Sequence, residues 1–224
     1  MDKAIKTFSA SCDKVNIDKE LALRFLRVRK EVDDETNAIL ENCLDEFEKA
    51  VQYKASYRYY DIKVEDDKVA FEDDFTLKSE KLSKNLRGCS GAFVFVATTS
   101  IGVDRLVNKY MNLQLSRAVI LDSIGSAAVE SFCDYLCKTI QDENGLNFRP
   151  RFSPGYGDLN ISCQGCVLSA CDASRKIGVT LSSNHMMVPK KTVSAIAGVR
   201  PKDEVCKSAS RCENCENTNC LYRE

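Results

Sequence analysis

Four cysteines stand near the end of the sequence, Cys206, Cys212, Cys215 and Cys220, and the Cys212–Cys215 spacing lets two thiolates meet one metal ion. Together the four can form a tetrathiolate site for zinc or for an iron–sulfur cluster. Residues 201–224 carry too few apolar side chains for a core, so a bound metal would be their source of fold. A cysteine-bearing tail without metal is the alternative. A second group follows the spacing Cys163, Cys166, Cys171. On a helix Cys163 and Cys166 share a face and Cys171 lies further round, which leaves a thiol or metal site and plain packing equally open. Cys133 and Cys137, one helical turn apart, are expected in the core, whereas Cys12, Cys43 and Cys89 form no pattern.

The other concentration of chemistry is the run from Arg149 to Asp158, dense in Pro and Gly. Gly155 and Gly157 permit positive φ and close approach of backbone to a ligand. Pro150 and Pro154 stiffen the loop, which is then organised before anything binds. Arg151 can grip a carboxylate through two parallel N–H bonds, and Tyr156 adds a flat face and a hydroxyl. A simple connection between helices with a surface arginine has the same composition, so the loop alone decides nothing. His185, the single histidine, is expected to be a strand residue with a local hydrogen bond rather than a catalytic base.

The elements that must position these residues follow from periodicity. Asp18 to Val51 reads as two helices, the second with a buried stripe through Leu40, Cys43, Leu44, Phe47, Ala50 and Val51. Tyr53 to Val64 reads as a strand, turning at Glu65-Asp66-Asp67 to a short return from Val69 to Phe71. Thr76 to Leu86 reads as a short polar helix capped by Thr76 or Ser79. The run Ala92 to Ala97 predicts a fully buried strand. Helices are expected over 102–111 and 116–141, the second burying Val119, Ile120, Ile124, Ala127, Ala128, Phe132, Tyr135 and Leu136. Asn144-Gly145 supplies its left-handed cap. After the Pro-Gly run come a helix over 161–171 and strands over 179–182, 186–188 and 192–199.

Composition narrows the function classes. With 44% hydrophobic and 29% charged residues the chain can build a core, and a net charge of −1 without a basic cluster argues against nucleic acid as a partner. No stretch approaches the roughly 20 apolar residues that cross a bilayer, and Met1 to Lys14 has no apolar run of the kind a signal peptide needs. No membrane association and a cytoplasmic location are expected, where 12 cysteines read as thiols or metal ligands rather than disulfides.

Three blocks, in order, resemble the reactivation (activation) domain of cobalamin-dependent methionine synthase. Arg151-Phe152-Ser153-Pro154-Gly155-Tyr156 is similar to that family's Arg-x-x-Pro-Gly-Tyr signature. Glu130-Ser131-Phe132-Cys133-Asp134-Tyr135-Leu136 resembles the helix that precedes it, and Met186 to Ser194 the strand–Pro–strand block that follows. The resemblance covers roughly 118–199. It implies that the loop, through Arg151, Ser153, Pro154, Gly155 and Tyr156, binds S-adenosylmethionine, with Arg151 on the methionine carboxylate and Glu130 facing the ammonium or another positive group. A solvent-facing helix position is the alternative for Glu130. Ser126 stands where the family has an acidic residue, and Ala197 near the place of an aromatic one.

The resemblance implies one α+β domain over 1–200, a twisted, mainly antiparallel sheet with packed helices, followed by the Cys-rich tail at 201–224. The family's Asp-x-His-x-x-Gly cobalamin loop has no counterpart here, since His185 lies in Ser-Asn-His-Met. Reductive methylation of cobalamin would therefore be supported in trans, on a corrinoid protein or a methionine synthase lacking its own activation domain. A low-potential electron donor is implied as well, and an iron–sulfur cluster in the tail could relay that electron. No side-chain acid or base is required, because such a protein contributes proximity and orientation. Two rival functions are an iron–sulfur or metal-bearing electron carrier whose ligand site has decayed, and a non-catalytic docking partner of a corrinoid protein.

Overall fold

The computed structural model describes residues 1–28 and 33–201. Its centre is a seven-stranded sheet in which every pairing is antiparallel. The strands are β1 (Lys6–Ala10), β2 (Tyr53–Val64), β3 (Lys68–Phe71), β4 (Phe75–Lys78), β5 (Gly91–Thr98), β6 (Leu146–Phe148) and β9 (Thr192–Pro201). They are ordered β4-β3-β2-β5-β9-β6, and β1 also pairs with β2. β7 (Thr180–Leu181) and β8 (Met187–Val188) make a separate two-stranded ribbon. The fold is thus α+β with a mainly antiparallel sheet and packed helices.

All eight residues of β5 are buried because both sheet faces are covered, which is why its sequence is apolar without alternation. On one face Phe93, Phe95 and Ala97 meet Tyr53, Ala55 and Ala195 under two helices, α2 (Asp34–Ala50) and α5 (Leu115–Asn144). On the other, Val94, Val96 and Ile196 lie under α3 (Glu80–Leu86), α6 (Gln164–Ala170) and α7 (Ala173–Ile177). The remaining helices are α1 (Lys19–Phe25) and α4 (Ile101–Met111), both packed against α5. Among the described residues no helix is long and apolar enough to cross a membrane.

α5 is the element on which the rest is hung. Phe132 lies wholly inside, stacked on Phe8 at 6.2 Å and tilted against Tyr53 at 5.0 Å. Gly145, at φ 63°, ends the helix in the left-handed conformation that only glycine adopts without strain.

Several sequence expectations are corrected. Residues Phe75–Lys78 form a strand, so the helix begins later; Ser79 is its cap, accepting the Leu82 N–H at 2.9 Å, and Thr76 is not. Val119 falls on the helical stripe yet is 48% exposed, at the start of α5 where Leu113 and Leu115 face solvent too. His185 sits at φ 58° in the turn between β7 and β8, not in a strand. Strands β1 and β6 and helix α7 have no counterpart in the sequence reading.

Candidate functional site

A polar seam runs along α5. Asp122, Ser126, Glu130 and Asp134 are spaced by four and therefore follow one another up the helix over about 18 Å. Two cations from distant segments close it. Arg151 places Nη2 2.7 Å from Glu130 Oε2 and Nη1 2.5 Å from Asp134 Oδ1. Lys191, from the corner before β9, places Nζ 2.8 Å from Asp122 Oδ1 and donates to Ser126 Oγ at 2.9 Å. Each cation is thus held by one inner partner and one outer acid.

Burial separates the members. The Arg151 side chain is 10% exposed and Glu130 30%, whereas Asp134 is 71% exposed. Burial alone would lower the Arg151 pKa, but the carboxylates of Asp134 and Glu130 against it offset that, and the guanidinium stays charged. Cys133 and Cys137 are in the core, as expected. Desolvation pushes the Cys133 thiol well up and that of Cys137 to about 11, the nearby arginine notwithstanding, so both are neutral thiols.

The Pro-Gly loop is fixed to the sheet before it reaches the seam. The Phe152 N–H donates to Ile196 O at 2.9 Å and the Ile196 N–H returns to Phe152 O at 2.8 Å. Arg149 N–H donates to Gly198 O at 2.8 Å. Gly155, at φ 90°, turns the chain so that its N–H meets Leu159 O at 2.8 Å, and Tyr156 N–H meets Ser153 O at 3.1 Å. Pro154 is buried, while Tyr156 is 68% exposed. Ile161 lies against Gly155, and Gln164 donates to His185 O at 3.1 Å, tying α6 to the turn that carries Met186. Ile161 and Met186 are 42% and 66% exposed, so the loop has exposed apolar neighbours.

Asp158 ends the loop on the first turn of α3. Its carboxylate accepts the Ser79 hydroxyl and the N–H groups of Glu80 (2.7 Å) and Lys81 (3.3 Å). Those bonds, the Ser79 hydroxyl first, hold its pKa below the ordinary aspartate value. A depressed folded-state pKa adds stability above the unfolded value near 3.9, and that stability is lost as pH falls through the folded value. Asp158→Asn is expected to cost up to about 1 kcal/mol at neutral pH, the contribution of a negative charge at a helix N-terminus. Urea midpoints of both proteins should converge below about pH 4; a difference that persists unchanged into acid would deny the carboxylate charge this part.

Ser153, Pro154, Gly155 and Tyr156 lie together in the loop, and Arg151 and Glu130 are brought into direct contact across 21 residues of sequence. The pairing of Asp134 with Arg151, and of Asp122 and Ser126 with Lys191, was not read from the sequence. Their spacing by four on one helix was the available signal. Two hollows lie elsewhere, one of about 200 Å³ beside Tyr57, Tyr59 and Phe93, and one of about 470 Å³ beside α7. Neither includes Arg151, whose guanidinium is covered by its own acids.

Cys163, Cys166 and Cys171 do not gather. Cys171 is fully buried and its thiol donates to Val94 O at 3.4 Å, whereas Cys163 is half-buried and Cys166 exposed, so only Cys171 is a core residue. Among the described residues no group of three His, Cys, Asp or Glu side chains could hold a metal ion. Cys206, Cys212, Cys215 and Cys220 lie outside the described residues.

Among solved structures, the chain is similar to the crystal structure of the MetH reactivation domain bound to AdoHcy. The TM-score is 0.68 over 91% of this chain and 80% of that chain, at 13% sequence identity. At that identity the likeness is one of fold. No protein-family profile matches the chain, and no curated protein matches it.

Proposed function

We propose that this chain binds S-adenosylmethionine where the Pro-Gly loop meets α5 and supports reductive methylation of a cobalamin carried by another protein. The observation that carries the reading is the ion pair between Arg151 and Glu130. Two residues that the sequence blocks assign to one ligand stand in one place, on a fold shared with a domain that binds AdoHcy. The charges suit the ligand: a carboxylate seeks Arg151, and an ammonium or sulfonium seeks Glu130 and Asp134. Gly155 and the exposed ring of Tyr156 leave the outer side of the loop open to the rest of the molecule.

Bound S-adenosylmethionine would supply an electrophilic methyl group to reduced cobalt on the partner. The chain's own residues would hold the amino-acid end and so fix the direction in which the methyl group points. The exposed Tyr156, Ile161 and Met186 would meet the partner's corrinoid-bearing surface. The four tail cysteines make a donor set suited to zinc or an iron–sulfur cluster, the latter able to pass on an electron from a low-potential donor. Stoichiometric zinc with no visible absorption band in anaerobically purified protein would exclude the cluster.

Calorimetric titration of the anaerobically purified chain with S-adenosylmethionine tests the reading. A saturable, one-to-one heat is expected. No binding up to millimolar ligand would remove the ligand from the proposal. The exposed apolar neighbours of the loop then favour the second reading, a docking partner of a corrinoid protein that needs no ligand of its own.

A further inference from the structure

The Glu130–Arg151–Asp134 trio carries a net charge of −1, and its only cation already has both terminal nitrogens engaged. The Arg151 side chain is only 10% exposed and its outer face is covered by these two carboxylates, so a carboxylate arriving from solvent meets them first. It must displace one of the two acids, and they are unequal. Glu130 is held on the inner side, 30% exposed, whereas Asp134 is 71% exposed and can turn into water at little cost. The position on Nη1 is therefore the one a ligand carboxylate can take.

We infer that Asp134 is a specificity-determining residue that occupies the ligand-carboxylate position on Arg151 and admits only ligands bearing an ammonium beside the carboxylate. The inference rests on the proposed function and deepens it. A bare carboxylate replacing Asp134 would bring a third negative charge to a site with one cation. A zwitterionic head brings no net charge: its carboxylate takes Nη1, and its ammonium takes up the released Asp134 carboxylate. The ion pair is opened and a neutral α-amino-acid head is inserted between its halves, so every charge keeps an opposite neighbour. Glu130 stays on Nη2 throughout and keeps the guanidinium oriented.

The test compares wild type with Asp134→Asn, using S-adenosylmethionine and its deaminated analogue, which keeps carboxylate and sulfonium but lacks the ammonium. Wild type is expected to prefer S-adenosylmethionine at least tenfold, and Asp134→Asn to reduce the preference to within about threefold, a fall of more than half a decade. An undiminished preference in the variant overturns the inference. A second measurement needs no ligand: rotation of the Arg151 guanidinium, read from nitrogen-15 line shapes, should be slow in wild type and faster in the variant. Unchanged line shapes overturn the pinning of Arg151 by Asp134 whatever the titrations give. Altered line shapes with no binding by either protein sink the proposed function, and the ligand half of this inference with it.

Discussion

Arg151→Ala is expected to weaken S-adenosylmethionine binding at least a hundredfold. Hydrogen bonds to a charged partner contribute about 1.5–3 kcal/mol each, and the guanidinium is the cation that Glu130 and Asp134 share. Loss of one such bond and of the charge amounts to about 3 kcal/mol, or two decades in Kd. The same change leaves Glu130 beside the buried thiols of Cys133 and Cys137 with no cation, so stability should fall by roughly 1–3 kcal/mol. Arg151→Lys restores the charge but not the fork that spans Glu130 and Asp134, and should recover only part of the affinity. Calorimetry on variants whose circular dichroism matches wild type checks this. Undiminished affinity in a folded Arg151→Ala protein would place the ligand elsewhere.

The second large effect is structural. Phe132→Ala is expected to destabilise the chain by about 3–5 kcal/mol, the cost of removing a fully buried aromatic ring whose cavity cannot collapse. Its neighbours Phe8, on β1, and Tyr53, at the start of β2, belong to the sheet and cannot follow the helix inward. Glu130 and Asp134 flank Phe132 on the same helix, so a shift of α5 would also loosen their hold on Arg151. The denaturant midpoint should drop with an unchanged slope. A loss below 1 kcal/mol would mean that α5 is held mainly by its contacts with α4 and α1.

The parts legible in sequence were those whose burial is one-sided or complete over many residues. β2 was legible because Tyr53, Tyr57, Tyr59, Tyr60, Ile62 and Val64 are β-forming types and the acidic turn at Glu65-Asp66-Asp67 ends the run. β5 declared itself by an unbroken apolar run, and the cap at Gly145 by the Asn-Gly pair. β1 was missed because only Phe8 and Ala10 are even partly buried, too few to show alternation. β6 is three residues long and leaves directly from the helix cap, with no turn to announce it. At 75–86 a plausible cap at Thr76 hid the true one at Ser79, and with it a strand.

The site was half legible for a related reason. Arg151 and Glu130 stand in recognisable blocks, yet which acids an arginine meets is set by packing, not by spacing. Asp134 is reached only because the Phe152–Ile196 bridge carries the loop back to the sheet edge beneath α5. Lys191 joins the seam from 65 residues beyond Ser126, through a corner that no local pattern describes.

The position of β9 bears on how the chain is made. β5 lies between β2 and β9, and it pairs with β9 residue by residue from Gly91↔Val199 to Thr98↔Thr192. Synthesis therefore delivers β5 about a hundred residues before its second neighbour. Until then a strand that is apolar from Ala92 to Ala97 keeps one row of hydrogen-bonding groups open, the kind of edge that recruits other nascent chains. Long-range closure of this sort is slow. Truncation before β9 should consequently yield not a smaller folded unit but an aggregating one, and soluble yield in cells should respond to translation rate and chaperone supply more than surface charge would suggest.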